Sequence, residues 1–139
     1  MDAKKADDYR ITIQKDNNRK GKGKMNYING DAYDGEWKDG ARNGKGIYVW
    51  NSGAKYVGDF VDNVREGTGD FLGFVDAEER FSGNYHGEFK NNQFEGEGIF
   101  EFANGEKFVG VFKANQRWKG IQYNANGEIV QEGSMKKSL

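Results

Sequence analysis

The stretch that decides the fold is YDGEWKDGARNGKGIYVWNSGAK, residues 33–55. It opens on Tyr33-x-Gly35-x-Trp37, continues through Gly44-x-Gly46-x-Tyr48 and closes on Ser52-Gly53. The opening signature returns as Tyr56-x-Gly58-x-Phe60, Tyr85-x-Gly87-x-Phe89 and Phe108-x-Gly110-x-Phe112, at steps of 23, 29 and 23 residues. The second returns as Gly67-x-Gly69-x-Phe71 and Gly96-x-Gly98-x-Phe100, each 11 residues after its aromatic partner. The third frames the units as Asn29-Gly30-x-x-Tyr33, Ser52-Gly53-x-x-Tyr56, Asn104-Gly105-x-x-Phe108 and, fading, Asn126-Gly127-x-x-Val130. Three signatures in fixed register mark an internal repeat.

Each aromatic-x-Gly-x-aromatic segment alternates with period two, so both rings and the glycine between them project from one face of a β-strand. The Gly-x-Gly-x-aromatic segment does the same, and one repeat is therefore one antiparallel hairpin. Asn-Gly and Ser-Gly suit tight turns between units, where positive φ is needed. Asp39-Gly40, Asp62-Asn63 and Asn91-Asn92 supply a longer loop inside each unit. Glycine weakens a strand. Rings from adjoining strands are expected to lie over the gaps, with stability accumulating along the stack.

Composition agrees with such a design. Ile, Val, Leu and Phe make up roughly 19% of the chain, too little for an ordinary aliphatic core. The excess lies in 21 glycines and an aromatic share of 14%. With 21 basic and 22 acidic residues the formal charge is -1, which argues against both a disordered chain and a nucleic-acid binder. No cysteine is present, which removes disulfides and thiolate chemistry and fits a reducing compartment. No apolar run approaches a membrane span, and Met1-Asp2-Ala3-Lys4-Lys5 has no secretory character. The chain reads as soluble and intracellular, in the cytoplasm.

The pattern of Tyr33-x-Gly35-x-Trp37, Gly44-x-Gly46-x-Tyr48 and Gly53 resembles the MORN repeat. The resemblance implies an all-β fold: a single-layer, twisted antiparallel sheet of tandem hairpins forming an elongated trough, with the aromatic residues on its concave side. About nine strands are expected. An N-terminal extension, 1–20, precedes the array at 21–130. The array divides into a half repeat at 21–32, repeats at 33–55, 56–84 and 85–107, and a degenerate unit at 108–130. Residues 131–139 form a tail expected to order only on a partner.

Departures from the pattern are informative. Gly21-x-Gly23-x-Met25-x-Tyr27 is a second strand without its first, and Asp8–Ile13 alternates enough to cover that edge. About six extra residues surround Gly73–Arg80, read as a longer hairpin loop or else a bulged strand pair. Phe81-x-Gly83-x-Tyr85 offers a second phase there, leaving the register open by two residues. The last unit loses one residue and its first paired glycine.

Catalytic machinery is not expected. Gly40–Gly46 imitates a phosphate-binding loop, but its spacing is short and no Ser or Thr follows Lys45. His86, the only histidine, excludes a histidine metal cluster and reads as a solvated strand residue. Asp34, Glu36, Asp59, Glu88, Glu95 and Glu97 would sit in water on an open sheet, unsuited to acid–base work. Asp31 and Asp34 lack calcium-loop spacing. No metal or cofactor is called for.

Binding is where the residues point. Alternation puts Tyr33, Trp37, Tyr48, Trp50, Tyr56 and Phe60 on one face, and a single sheet has no second layer to cover them. They are expected to keep exposed surface and dock an apolar protein segment. Trp37 either caps a glycine or meets the partner. Trp50, exceeding the repeat pattern, is assigned to binding, and Trp118 to covering the sheet end. Lys15, Arg19, Lys20, Lys22 and Lys24 form a basic edge, read first as solvated edge defence and second as a contact for anionic lipid. The expected function is a non-catalytic scaffold or adaptor with protein partners. By resemblance its setting is a ciliary or flagellar axoneme, such as a radial spoke, or another cytoskeletal assembly. The alternative is a peripheral binder of anionic phospholipid.

Overall fold

The computed structural model describes residues 20–139. Ten strands follow one another: β1 Lys20–Asn26, β2 Ala32–Lys38, β3 Ala41–Val49, β4 Lys55–Val61, β5 Val64–Val75, β6 Ser82–Lys90, β7 Gln93–Phe102, β8 Lys107–Lys113, β9 Gln116–Tyr123 and β10 Ile129–Ser138. They form one open antiparallel sheet whose strand order follows chain order, with no helix among the described residues. The expected edge cover at Asp8–Ile13 lies outside the described residues. Contacts divide the chain inside β5 into two units, ending and beginning at Arg65 and Glu66.

Register explains the glycines. In the first unit Gly23 faces Gly35, Gly35 faces Gly46 and Gly46 faces Gly58. In the second, Gly69 faces Gly87, then Gly98, Gly110, Gly120 and Gly133 follow in line. Each unit thus carries a row of bare backbone perpendicular to its strands. The ring at the head of each repeat lies flat in that row. A Cβ on Gly46 would overlap the ring of Tyr33, and one on Gly98 the ring of Tyr85. The hydroxyls of Tyr33, Tyr56 and Tyr85 donate to the carbonyls of Glu36, Asp59 and Glu88 at 2.8, 2.8 and 2.7 Å, which pins the rings down.

Upright rings flank the flat ones. Tyr33 meets Trp37 and Phe60 edge-on at 5.0 and 5.2 Å, and Tyr85 meets Phe89 and Phe112 at 5.1 and 4.9 Å. Such geometry suits the ring quadrupole. One layer therefore builds its own core: Tyr33, Tyr56, Tyr85, Phe100, Phe108 and Phe112 are all at most 1% exposed.

The turns reverse the expected assignment of short and long. Asp39-Gly40, Asp62-Asn63, Asn91-Asn92 and Ala114-Asn115 are consecutive positive-φ pairs, the two-residue turns that match strand twist. The Asn-Gly and Ser-Gly sites form the longer connection. At each, the glycine N–H reaches back three residues (Gly30 to Tyr27 O, Gly53 to Trp50 O), and the glycine then takes positive φ to rejoin the next strand. Glycine is needed at the end of the longer turn, so its presence did not signal the shorter one.

Asp62-Asn63 and its counterpart also tie successive hairpins together. Asn63 Oδ1 accepts from Arg42 N–H at 2.8 Å, and Asn115 Oδ1 accepts from Phe94 N–H at 2.8 Å. The Gly44 and Gly96 bulges have their own cap. Glu36 Oε1 accepts from Lys45 N–H, and Glu88 Oε1 accepts from Glu97 N–H at 2.7 Å.

The inserted segment is a longer hairpin. Phe71 pairs Tyr85 and Phe74 pairs Gly83, with one bulged residue between, which settles the register. The loop closes on Asp76, whose carboxylate accepts from Arg80 and Phe81 N–H at 2.6 and 3.0 Å. Those bonds, Phe81's foremost, hold its pKa below the usual carboxylate value.

At the C-terminal end the expected disordered tail is strand β10, paired to β9. Arg117 donates from Nε and Nη2 to Ser138 O at 3.1 and 2.6 Å, and Leu139 is buried. Its sequence lacks the ring-glycine pattern. The open edge of β9 supplies the pairing that the pattern did not announce.

Candidate functional site

The ring-lined face of the first unit separates the predicted partner-binding residues into two groups. Tyr33, Trp37, Tyr56 and Phe60 are 1%, 6%, 0% and 4% exposed, so the expected exposed surface is absent there. The reason is the flat ring packing: a glycine row gives rings somewhere to lie, and no second layer is needed. Trp37 caps glycines, its Nε1–H donating to Gly23 O at 3.0 Å. Tyr48 and Trp50 remain partly exposed.

Those two rings extend a half-exposed cluster. Tyr27 stacks on Tyr48 at 5.9 Å with an interplanar angle of 28°, and Tyr48 tilts against Trp50 at 4.8 Å. The Tyr48 hydroxyl donates to Asp31 Oδ2 at 2.6 Å, while Asp31 Oδ1 accepts from Asn51 N–H at 2.8 Å. Burial pushes the Tyr48 pKa well above the ordinary phenol value, and the bond to Asp31 adds to the shift. Tyr48 therefore stays a neutral donor.

Two guanidinium groups lie among these rings, and sequence reasoning had not singled them out. Arg42 sits 5.1 Å from the Tyr48 ring centre and 5.8 Å from that of Tyr33. Arg65 sits 5.2 Å from Trp50 and 5.9 Å from Tyr56. Burial, with the neighbouring charge of Arg42 contributing, lowers the pKa of Arg65. A signal existed: Arg42, Arg65, Phe94 and Arg117 each stand second in β3, β5, β7 and β9, once per repeat.

The proposed lipid-binding edge is only partly described. Lys15 and Arg19 lie outside the described residues, as does the side chain of Lys20. Lys22 and Lys24 are exposed, but register sets them opposite Glu36 and Asp34, and Lys24 Nζ lies 3.9 Å from Asp34. Facing carboxylates reduce what these two lysines offer an anionic surface.

In the second unit His86 is engaged on the opposite face from Tyr85. Its Nδ1 meets Asp70 and its Nε2 meets Glu101, both at 2.8 Å. Partial desolvation lowers its pKa, but the two carboxylates outweigh this and the net direction is up. Both ring nitrogens are thus held by carboxylates. Beside the extended β5–β6 hairpin lies a cleft of about 860 Å³, lined among others by Phe74, Asn84, Phe102, Lys107 and Tyr123. Trp118 lies under the ammonium groups of Lys113 and Lys136, at 4.8 and 5.2 Å.

Comparison with known proteins gives one family. The model described as MORN repeat matches residues 15–32, 33–55, 56–73 and 85–107. A search of curated proteins found no match.

Proposed function

The chain belongs to the MORN-repeat family, and from that premise we propose that it is an adaptor whose first-unit face docks a protein partner at Tyr48 and Trp50. The MORN repeat is a non-catalytic repeat module, consistent with scaffold roles that bind proteins or membranes. The observation that carries the protein reading is the contrast within one face. Nearly every ring of the repeat pattern is packed and covered, whereas Tyr27, Tyr48 and Trp50 form a contiguous cluster that keeps accessible surface. Partly exposed Trp and Tyr in contact with one another suit an interface anchor. A ciliary or other cytoskeletal assembly is the setting that the resemblance favours.

The test is affinity purification from the native cell, comparing wild type with Trp50→Ala. Capture of the partner should weaken by at least ~2 kcal/mol, the usual threshold for an interface hot spot. The variant's melting should stay close to wild type. Capture that survives Trp50→Ala but is abolished by changes in the loop from Phe74 to Glu79 would move the site to the second-unit cleft. Capture replaced by salt-sensitive sedimentation with anionic vesicles would favour the membrane reading.

A further inference from the structure

The face opposite the rings handles its charges differently in the two units. In the first, Ile47 stands opposite Val57, and beside them Lys45 stands opposite Asp59 and forms an ion pair with it. In the second, the same repeat positions put Ile99 opposite Val109 and Glu97 opposite Val111. Glu97 therefore faces an apolar side chain where Lys45 faces a carboxylate. The cation of its row is Lys119, beyond Val111 on β9. Two strand spacings, about 10 Å, keep Glu97 and Lys119 apart. Both are exposed, and neither joins an ion pair among the described residues.

Apolar surface lies between the two charges. Ile99, Val109 and Ile121 form one row across β7, β8 and β9, with Val111 next to it on β8. Ile99 is 37% exposed, and Val109, Val111 and Ile121 are half-buried. The ring face covers itself because its rings lie over glycine. Branched aliphatic side chains on the opposite face have no such recess, and a single sheet gives them no second layer. Between β8, β9 and β10 this face also holds a shallow groove of about 430 Å³, lined among others by Val111, Lys119, Ile121 and Glu132. Contiguous apolar surface of this kind marks an interaction site.

We propose that this face docks on the same face of a second copy of the chain, about a two-fold axis running along β8. Such an axis lays Val109 and Val111 against their own counterparts. Because β7 and β9 flank β8 on either side, it carries Ile99 of each copy over Ile121 of the other, into the groove. It also sets Glu97 of each copy against Lys119 of the other. Each copy thus supplies the charge that its partner's row leaves unanswered, on both sides of an apolar centre. Facing opposite charges fix the register of such a contact. Sheets stacked in this way sit about 10 Å apart with their strands within about 30° of each other. Lys107, also on β8, meets its counterpart only at the rim, where its ammonium lies 5.2 Å from the centre of the Tyr123 ring. A two-fold contact closes after two copies and does not propagate. It is independent of the docking role proposed for Tyr48 and Trp50.

The experiment is sedimentation equilibrium of the full chain across a concentration series, with variants that reverse one charge at a time. Wild type should pass from monomer to dimer as its concentration rises. Glu97→Lys and Lys119→Glu each set like charges face to face and should weaken self-association at least roughly tenfold. An equimolar mixture of the two variants should regain the dimer, since every reversed charge then meets its opposite. Both positions are exposed, so each variant should melt near wild type. Val111→Asp places a charge at the apolar centre and should leave only monomer. Wild type that stays monomeric up to its solubility limit, or a dimer indifferent to both reversals, overturns the proposal. So does a mixture that fails to regain the dimer. Equally fatal is a monomer that binds phosphatidylserine vesicles through Lys119, or one that captures a different protein through Val111.

Discussion

Gly46→Ala isolates the ring-over-glycine contact on which the fold depends. Gly46 has ordinary extended backbone, so alanine meets no conformational penalty there. Its Cβ, however, would fall within the ring of Tyr33, whose Oη, Cε1 and Cζ are the nearest atoms. The ring must swing out of a site where it is 1% exposed. That gives up a hydrogen bond to Glu36 O, worth about 1 kcal/mol. It also loosens two edge-on contacts, with Trp37 and Phe60, worth about 0.5–1.5 kcal/mol each. Re-exposing the ring adds about 1.5–3 kcal/mol. Partial relaxation of the neighbours trims the sum, leaving an expected cost of about 3–5 kcal/mol. Gly127→Ala is the control, because nothing lies within 4 Å of its Cβ and only its φ of 84° opposes a side chain. That change should cost about 1 kcal/mol. Urea titrations followed by tryptophan fluorescence and circular dichroism give both values. If Gly46→Ala proves no more costly than Gly127→Ala, the flat-ring account of the core is wrong.

Three further outcomes are expected. His86 has its pKa raised on folding, so the stability it adds is fully present below its unfolded value and is lost as pH rises through the folded value. The melting difference between wild type and His86→Asn should therefore be larger at acidic than at alkaline pH. Solvent screening keeps the effect small, and a difference that grows with rising pH would contradict the Asp70–His86–Glu101 arrangement. Glu88→Ala removes the acceptor for Glu97 N–H at the Gly96 bulge and should cost about 1 kcal/mol in denaturant titration. Arg117→Met releases Ser138 O, so hydrogen exchange should quicken along β10 while β6 and β7 keep their protection. Equal acceleration in all three strands would show that Arg117 supports more than the C-terminal strand.

Much of this architecture was legible because its causes are local. Period-two alternation names the face on which Tyr33, Gly35 and Trp37 project, and the fixed 11-residue offset to Gly44 makes each repeat a hairpin. Even the His86 side could be read that way, since its neighbours Tyr85 and Gly87 face inward. Turn lengths were misread because Asn-Gly suits two kinds of connection, and only the hydrogen bonds from Gly30 and Gly53 distinguish them. Strand β10 escaped notice because its residues carry no signature of their own; it forms because β9 offers unpaired backbone groups and Arg117 holds Ser138. Above all, alternation says which side a ring is on and not whether it stands up or lies down. Tyr33 lies down because Gly46, on the next strand, leaves room for it, and Tyr48 stays partly exposed because its hydroxyl is drawn to Asp31. Sequence alone determined the strands of the repeats and their faces, since those follow from neighbours along the chain, whereas β10 did not announce itself. Which rings became core and which remained available to a partner depended on contacts between strands, and so was decided only in the folded sheet.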